Sequence, residues 1–108
     1  MRGSQGNTTH LVTGATGNIG TRVVEGLLRR GEQTRVFVRD ADKARKLYGD
    51  RVDVRVGDLA DPASVSRAAD GVDAVFLVTA GPDLAGKDKV AADVAKAAGV
   101  SRVVKLST

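Results

Sequence analysis

The stretch Val12-Thr13-Gly14-Ala15-Thr16-Gly17-Asn18-Ile19-Gly20 joins two segments of different period, and its reading decides the fold. Before it, His10–Ala15 (HLVTGA) is a short apolar run that ends in glycine and reads as a strand. After it, Asn18–Arg30 places Ile19, Val23, Val24, Leu27 and Leu28 on one face of a helix. Gly31 closes that helix, behind two arginines whose charge suits a helix C-terminus. Thr34–Arg39 (TRVFVR), rich in β-branched and aromatic residues, follows as a second strand. Strand, glycine-rich turn, helix and strand make a β-α-β unit.

The alternation continues to the end of the chain. Asp40 caps a short helix through Tyr48, with Ala44, Leu47 and Tyr48 inward and Gly49 as its stop. Val52–Gly57 (VDVRVG) alternates strictly, so one face is wetted and the strand belongs at a sheet edge. Asp61-Pro62 is an N-cap followed by proline at the first helical position, and that helix runs to about Asp70. Ala74–Thr79 (AVFLVT) is continuously apolar, which predicts a central strand buried on both faces. Gly81-Pro82 breaks the chain. A helix over Asp88–Ala98 carries Val90, Val94, Ala97 and Ala98 on its apolar side, and Arg102–Ser107 (RVVKLS) is the fifth strand. Strands that alternate with helices call for a parallel sheet with right-handed crossovers. The expected architecture is a three-layer αβα Rossmann-like α/β fold with five parallel strands in the order 3-2-1-4-5. That order brings the first and fourth strands together at the topological switch point, outside whose carboxyl ends such sheets take ligands.

Composition narrows the function. The 108 residues allow one domain. Aliphatic side chains must build its core, since 42% of residues are hydrophobic and only 3% aromatic. Without cysteine there is no disulfide scaffold, thiolate metal site or cysteine nucleophile. One histidine does not make a multi-His metal site, and no metal or self-contained catalytic triad is expected. No apolar run approaches the roughly 20 residues of a membrane span. The polar start MRGSQGNTTH has no signal-peptide pattern, and MRGS resembles an expression leader. Residues 1–8 are therefore set apart from a domain over 9–108. A cysteine-free chain suits a reducing compartment, and a cytoplasmic location is expected. The net charge of +4 fits an anionic small ligand better than a nucleic-acid surface.

The glycine loop names the anion. Gly14 permits the tight turn, Gly17 lets backbone approach a pyrophosphate, and Gly20 lets the helix lie close on the sheet. Free N–H groups and the helix dipole then face the phosphate charge. Thr16 and Asn18 can cap the helix or touch phosphate, whereas Ile19 packs in the core with its backbone near the ligand. Arg39 ends the second strand, where an acid would bind a ribose 2′-hydroxyl and an arginine accommodates a 2′-phosphate. Lys43 adds charge one turn along. These residues predict a dinucleotide site that prefers NADP over NAD. The small residues Val78, Thr79 and Ala80 at the end of the fourth strand leave room for the ribose, or simply begin a loop.

The phrases TGATGNIG, VRD, GDLAD, GVDAVFLVT and AAGVSRVVKLST, in this order, resemble the short-chain dehydrogenase/reductase superfamily. The likeness is to its atypical NmrA-like and quinone-reductase-like members, and it covers residues 9–108. The resemblance implies an NAD(P)-binding Rossmann domain corresponding to the N-terminal part of such a protein. It also implies that Asp58 and Leu59 border the adenine, the acid on its amino group and the leucine on the ring. Such reductases place a serine near the end of the fifth strand and a Tyr-x-x-x-Lys on the next helix. Ser107 or Thr108 matches the serine region, but no Tyr-x-x-x-Lys occurs, and no catalytic residue is assigned. Tyr48 reads as packing, and His10 as a surface strand start. Three functions stay open: the cofactor-binding half of a reductase, a non-catalytic redox sensor of NmrA-like type, and a fragment with only structural integrity. In the fifth strand the stretch Val103-Val104-Lys105-Leu106, three aliphatics against one lysine, predicts association through its edge, as a two-fold dimer or by exchange of the last helix and strand.

Overall fold

The strand, turn and helix around the glycine loop form as read: β1 (Thr9–Thr13) enters the loop and α1 (Asn18–Arg29) leaves it. Then follow β2 (Gln33–Val38), α2 (Ala41–Tyr48), a single 3-10 turn (Gly49–Arg51), β3 (Asp53–Val56), α3 (Pro62–Ala69), β4 (Ala74–Thr79), α4 (Lys87–Ala97) and β5 (Arg102–Ser107). This computed structural model describes residues 8–79 and 86–107. Ala80, the Gly81-Pro82 break, Thr108 and the leader apart from Thr8 lie outside the described residues.

The five strands are parallel, in the order β3-β2-β1-β4-β5. Side chains leave each strand alternately, so successive residues of β1 enter different cores. Leu11 packs with Phe37, Val65, Ala69, Val75 and Leu77 on the side covered by α3 and α4. Val12 packs with Val24, Val36, Val38 and Ala44 on the side covered by α1 and α2. The edge position of β3 is as expected. Its apolar side is only partly covered, with Val54 half-buried and Val56 59% exposed.

Three inward assignments are corrected. Leu47 is 42% exposed, because the eight-residue α2 turns only Ala44 and Tyr48, four positions apart, onto the core. On α4 the buried residues are Ala91, Ala95 and Asp88, while Val90 is 44% exposed and Ala97 faces outward. Alanines let this helix approach its neighbours closely. Asp88 turns in because Lys105 of β5 meets its carboxylate at 3.2 Å. His10 is half-buried rather than a surface strand start. Its Nε2 lies 3.4 Å from Glu32, its ring tilts against Phe76 at 5.8 Å, and its Nδ1 is buried without a partner among the described residues.

Candidate functional site

The site begins where β1 and β4 part. Their ladder is registered from His10↔Ala74 to Val12↔Phe76. Beyond it the buried Thr13 hydroxyl takes over, accepting the Val78 N–H at 3.1 Å and donating to the Phe76 carbonyl at 3.4 Å. The chain then turns into the glycine loop, closed by the Gly17 N–H on the Gly14 carbonyl at 3.1 Å.

The three glycines have different reasons to be there. Gly14 has φ +63°, and a Cβ on it would meet the Val78 carbonyl oxygen at 2.5 Å, so backbone and packing both demand glycine. A Cβ on Gly20 would collide with the Gly14 carbonyl and stand 2.9 Å from Ala15 Cα. The third glycine therefore lets the first turn of α1 lie against the backbone that leaves β1. Gly17 has an ordinary φ of −89°, and its Cβ would meet only the Gly14 carbonyl oxygen, at 3.5 Å. Nothing in the fold excludes a side chain there.

Gly17 is also the N-cap of α1, with no side-chain cap bond and no acid in the first turn, so Thr16 and Asn18 do not cap it. The starts of α2 and α3 differ. Asp40 accepts the N–H groups of Asp42 (3.0 Å) and Lys43 (3.3 Å), and Asp61 accepts that of Ala63 (3.2 Å). The start of α1 thus keeps the unpaired donors and partial positive charge of a bare helix N-terminus.

A cavity of about 620 Å³ opens at the carboxyl ends of β1, β2, β3 and β4. Of the residues singled out from sequence, it gathers Gly14, Thr16, Arg39, Lys43, Asp58, Leu59 and Val78. Gly17 and Asn18 are exposed beside it, Ile19 packs against the core, and Gly20 is buried. Thr79 ends β4, while its side chain and Ala80 lie outside the described residues. Sequence reading missed Thr13, Ala15, Phe37, Val38, Asp40 and Gly57 as lining residues. Most of these lie at a strand's carboxyl end or just past it, a position the topology itself flags.

Both sides of the cavity are held firmly. Asp58 Oδ1 accepts the Ala60 N–H at 2.9 Å, and the Asp58 N–H donates to the buried Ser64 hydroxyl at 3.1 Å. Ser64 in turn donates to the Asp61 carbonyl at 2.8 Å. A Cβ on Gly57 would meet the Phe37 ring at 2.5 Å, so the backbone that leaves β3 runs directly against that ring. Arg39 and Lys43 are exposed cations with no ion-pair partner among the described residues.

Tyr48 does more than pack. Its buried hydroxyl donates to the Ala15 carbonyl at 2.5 Å, and burial pushes that hydroxyl's pKa up. Among the described residues no acid or histidine cluster could hold a metal, and no helix is long and apolar enough to cross a membrane.

The profile of a family described as NAD(P)H-binding matches residues 14–108. The (4-alkanoyl-5-oxo-2,5-dihydrofuran-3-yl)methyl phosphate reductase of Streptomyces griseus is 45% identical over 97 residues, which is 90% of this chain and 33% of that protein. The triphenylmethane reductase of Citrobacter sp., solved with NADP(H), superposes with a TM-score of 0.78 at 30% identity, covering 90% of this chain and 36% of that one. The NADPH-dependent quinone oxidoreductase of Escherichia coli, solved with NADPH, gives 0.77 at 30% identity, covering 89% and 35%. The chain thus spans about a third of the length of the proteins it resembles. With a glycine loop, a bare helix start and a switch-point cavity on the same side of the sheet, and relatives solved with NADP(H), this chain belongs to the NAD(P)H-binding family, as an NAD(P)-binding Rossmann domain of the NmrA-like and quinone-reductase-like kind.

Proposed function

We propose that the domain takes NADP(H) in preference to NAD(H) and works as the cofactor half of a reductase. The carrying observation is that two cations without ion-pair partners among the described residues, Arg39 and Lys43, line the same cavity as the glycine loop. In this reading they hold the 2′-phosphate, with the guanidinium forming a charge-assisted pair. Gly14, Thr16, Gly17, Asn18, Ile19 and Gly20 present backbone to the pyrophosphate. Asp58 and Leu59 border the adenine, and Val78, Thr79 and Ala80 leave room for the ribose. The open space above Gly17 supports the fit, because a Cβ there would fill a cradle that the fold leaves clear. The cofactor, when bound, supplies hydride. Its acceptor belongs to the activity of a whole reductase, which the relatives' names make the class to expect. A cytoplasmic location is part of the proposal and rests on the cysteine-free composition. So is pairing of two copies through β5, the outer strand of the sheet.

Titration with NADPH and NADH, by fluorescence or calorimetry, tests the preference. A hydrogen bond to a charged group is worth roughly 1.5–3 kcal/mol, so the parent should favour NADPH by about tenfold or more. Arg39→Ala should erase most of that margin. Equal affinities in the parent would refute the assignment of Arg39.

A further inference from the structure

Two glycines flank Ala15 and Thr16, so little in the local sequence decides which way the peptide between them faces. The decision comes from 33 positions away. Tyr48, 2% exposed at the end of α2, donates its hydroxyl to the Ala15 carbonyl at 2.5 Å. In a planar trans peptide the carbonyl and the following N–H point in opposite directions. With the Ala15 carbonyl turned inward, the Thr16 N–H is turned away from the core, at the cavity that Thr16 lines. The tyrosine is itself held. Arg51 donates to the Tyr48 carbonyl at 3.3 Å and grips both carboxylate oxygens of Glu25 on α1, at 3.3 and 3.1 Å. The Thr21 hydroxyl donates to the Gly17 carbonyl at 2.5 Å and stands 3.5 Å from the same Ala15 oxygen.

Resting on the proposed dinucleotide site, we propose that Tyr48 is a positioning residue: its hydroxyl sets the peptide orientation of the glycine loop that receives the pyrophosphate. Burial keeps the phenol protonated, so it stays a donor at working pH. Asp40 caps the other end of the same helix and Lys43 lies in its first turn, about 12 Å and about 8 Å from Tyr48 along the axis at 1.5 Å per residue. α2 therefore joins the loop to the Arg39–Lys43 corner of the cavity.

Tyr48→Phe keeps the ring and removes only the donor. Its Kd for NADPH should rise about three- to tenfold, the net effect of one neutral hydrogen bond. Adenosine 2′-monophosphate, which has no pyrophosphate, should bind the variant within about twofold of the parent, because this bond is not part of its contacts. Amide exchange should quicken at residues 14–20 and stay unchanged in α3. An unchanged NADPH affinity would overturn the proposal. So would an equal loss for both ligands, which would mark a general structural role. If the parent binds neither NADPH nor NADH, the proposed function fails first and this inference with it.

Discussion

At the scale of single residues, glycines of similar spacing answer to different forces. Gly14 and Gly20 are dictated by the protein's own carbonyls, and any side chain there costs stability. Gly17 stands in extended backbone with open space above it, so packing does not demand glycine there. Valine adopts that backbone region readily, being β-branched. Gly17→Val should therefore keep the parent's circular dichroism, with a melting temperature lowered only by the poorer N-cap, while dinucleotide binding is lost. Gly20→Ala should lose stability before anything else. A Gly17→Val variant that binds as tightly as the parent would reduce this glycine to a turn residue.

Among the elements, α1 has the greatest consequence and is the least well capped. Its interior holds Gly26, where an added Cβ would find nothing within 4 Å. Glycine in a helix interior is about 1 kcal/mol less favourable than alanine. For a domain of this size that corresponds to roughly 4–8 °C in melting temperature. Gly26→Ala should raise the midpoint of thermal unfolding by about that much and leave NADPH affinity unchanged. A lower midpoint would mean that something packs against this position after all. The α3 helix ends differently: the Arg35 guanidinium donates to the Ala68 and Asp70 carbonyls, both at 2.7 Å, and so ties that helix to β2.

Across the whole molecule, the two edges of the sheet are unequally guarded. On β3, Asp53 lies between Arg35 at 3.0 Å and Arg55 at 3.1 Å. Partial burial alone would raise its carboxyl pKa, but the two guanidiniums outweigh that and hold it below the usual value. That edge therefore keeps its charge well into acid. The stabilisation it lends is full above about pH 4, the unfolded carboxyl's range, and is lost as pH falls through the lowered folded value. On β5 Arg102 is exposed at the strand's start, but Lys105 is drawn to Asp88 on the α4 side, and Val103, Val104 and Leu106 are half-buried. An apolar edge with unpaired backbone groups recruits another strand. The 108-residue chain should therefore sediment as a dimer whose population rises with concentration. A chain that stays monomeric at high micromolar concentration would show this edge to be closed.

The sequence by itself determined the strand count, the parallel order and the capped starts of α2 and α3. Ala74–Thr79 and Arg102–Ser107 form over the residues read from the apolar pattern, and Asp40 and Asp61 cap the helices they precede. These features come from local forces: side-chain period, a carboxylate within reach of its own helix, and crossovers of one hand. The corner of the cavity at Arg39 and Lys43 was legible for the same reason, since topology assigns the carboxyl ends of strands. The tertiary structure alone decided which side of α4 turns inward, that His10 is half-buried against Phe76, and that Tyr48 reaches the glycine loop. Hydropathy assigns each residue a value in isolation. Packing instead depends on volume and on a partner tens of positions away, so two alanines and an ion-paired aspartate took the face that Val90 would claim by hydropathy.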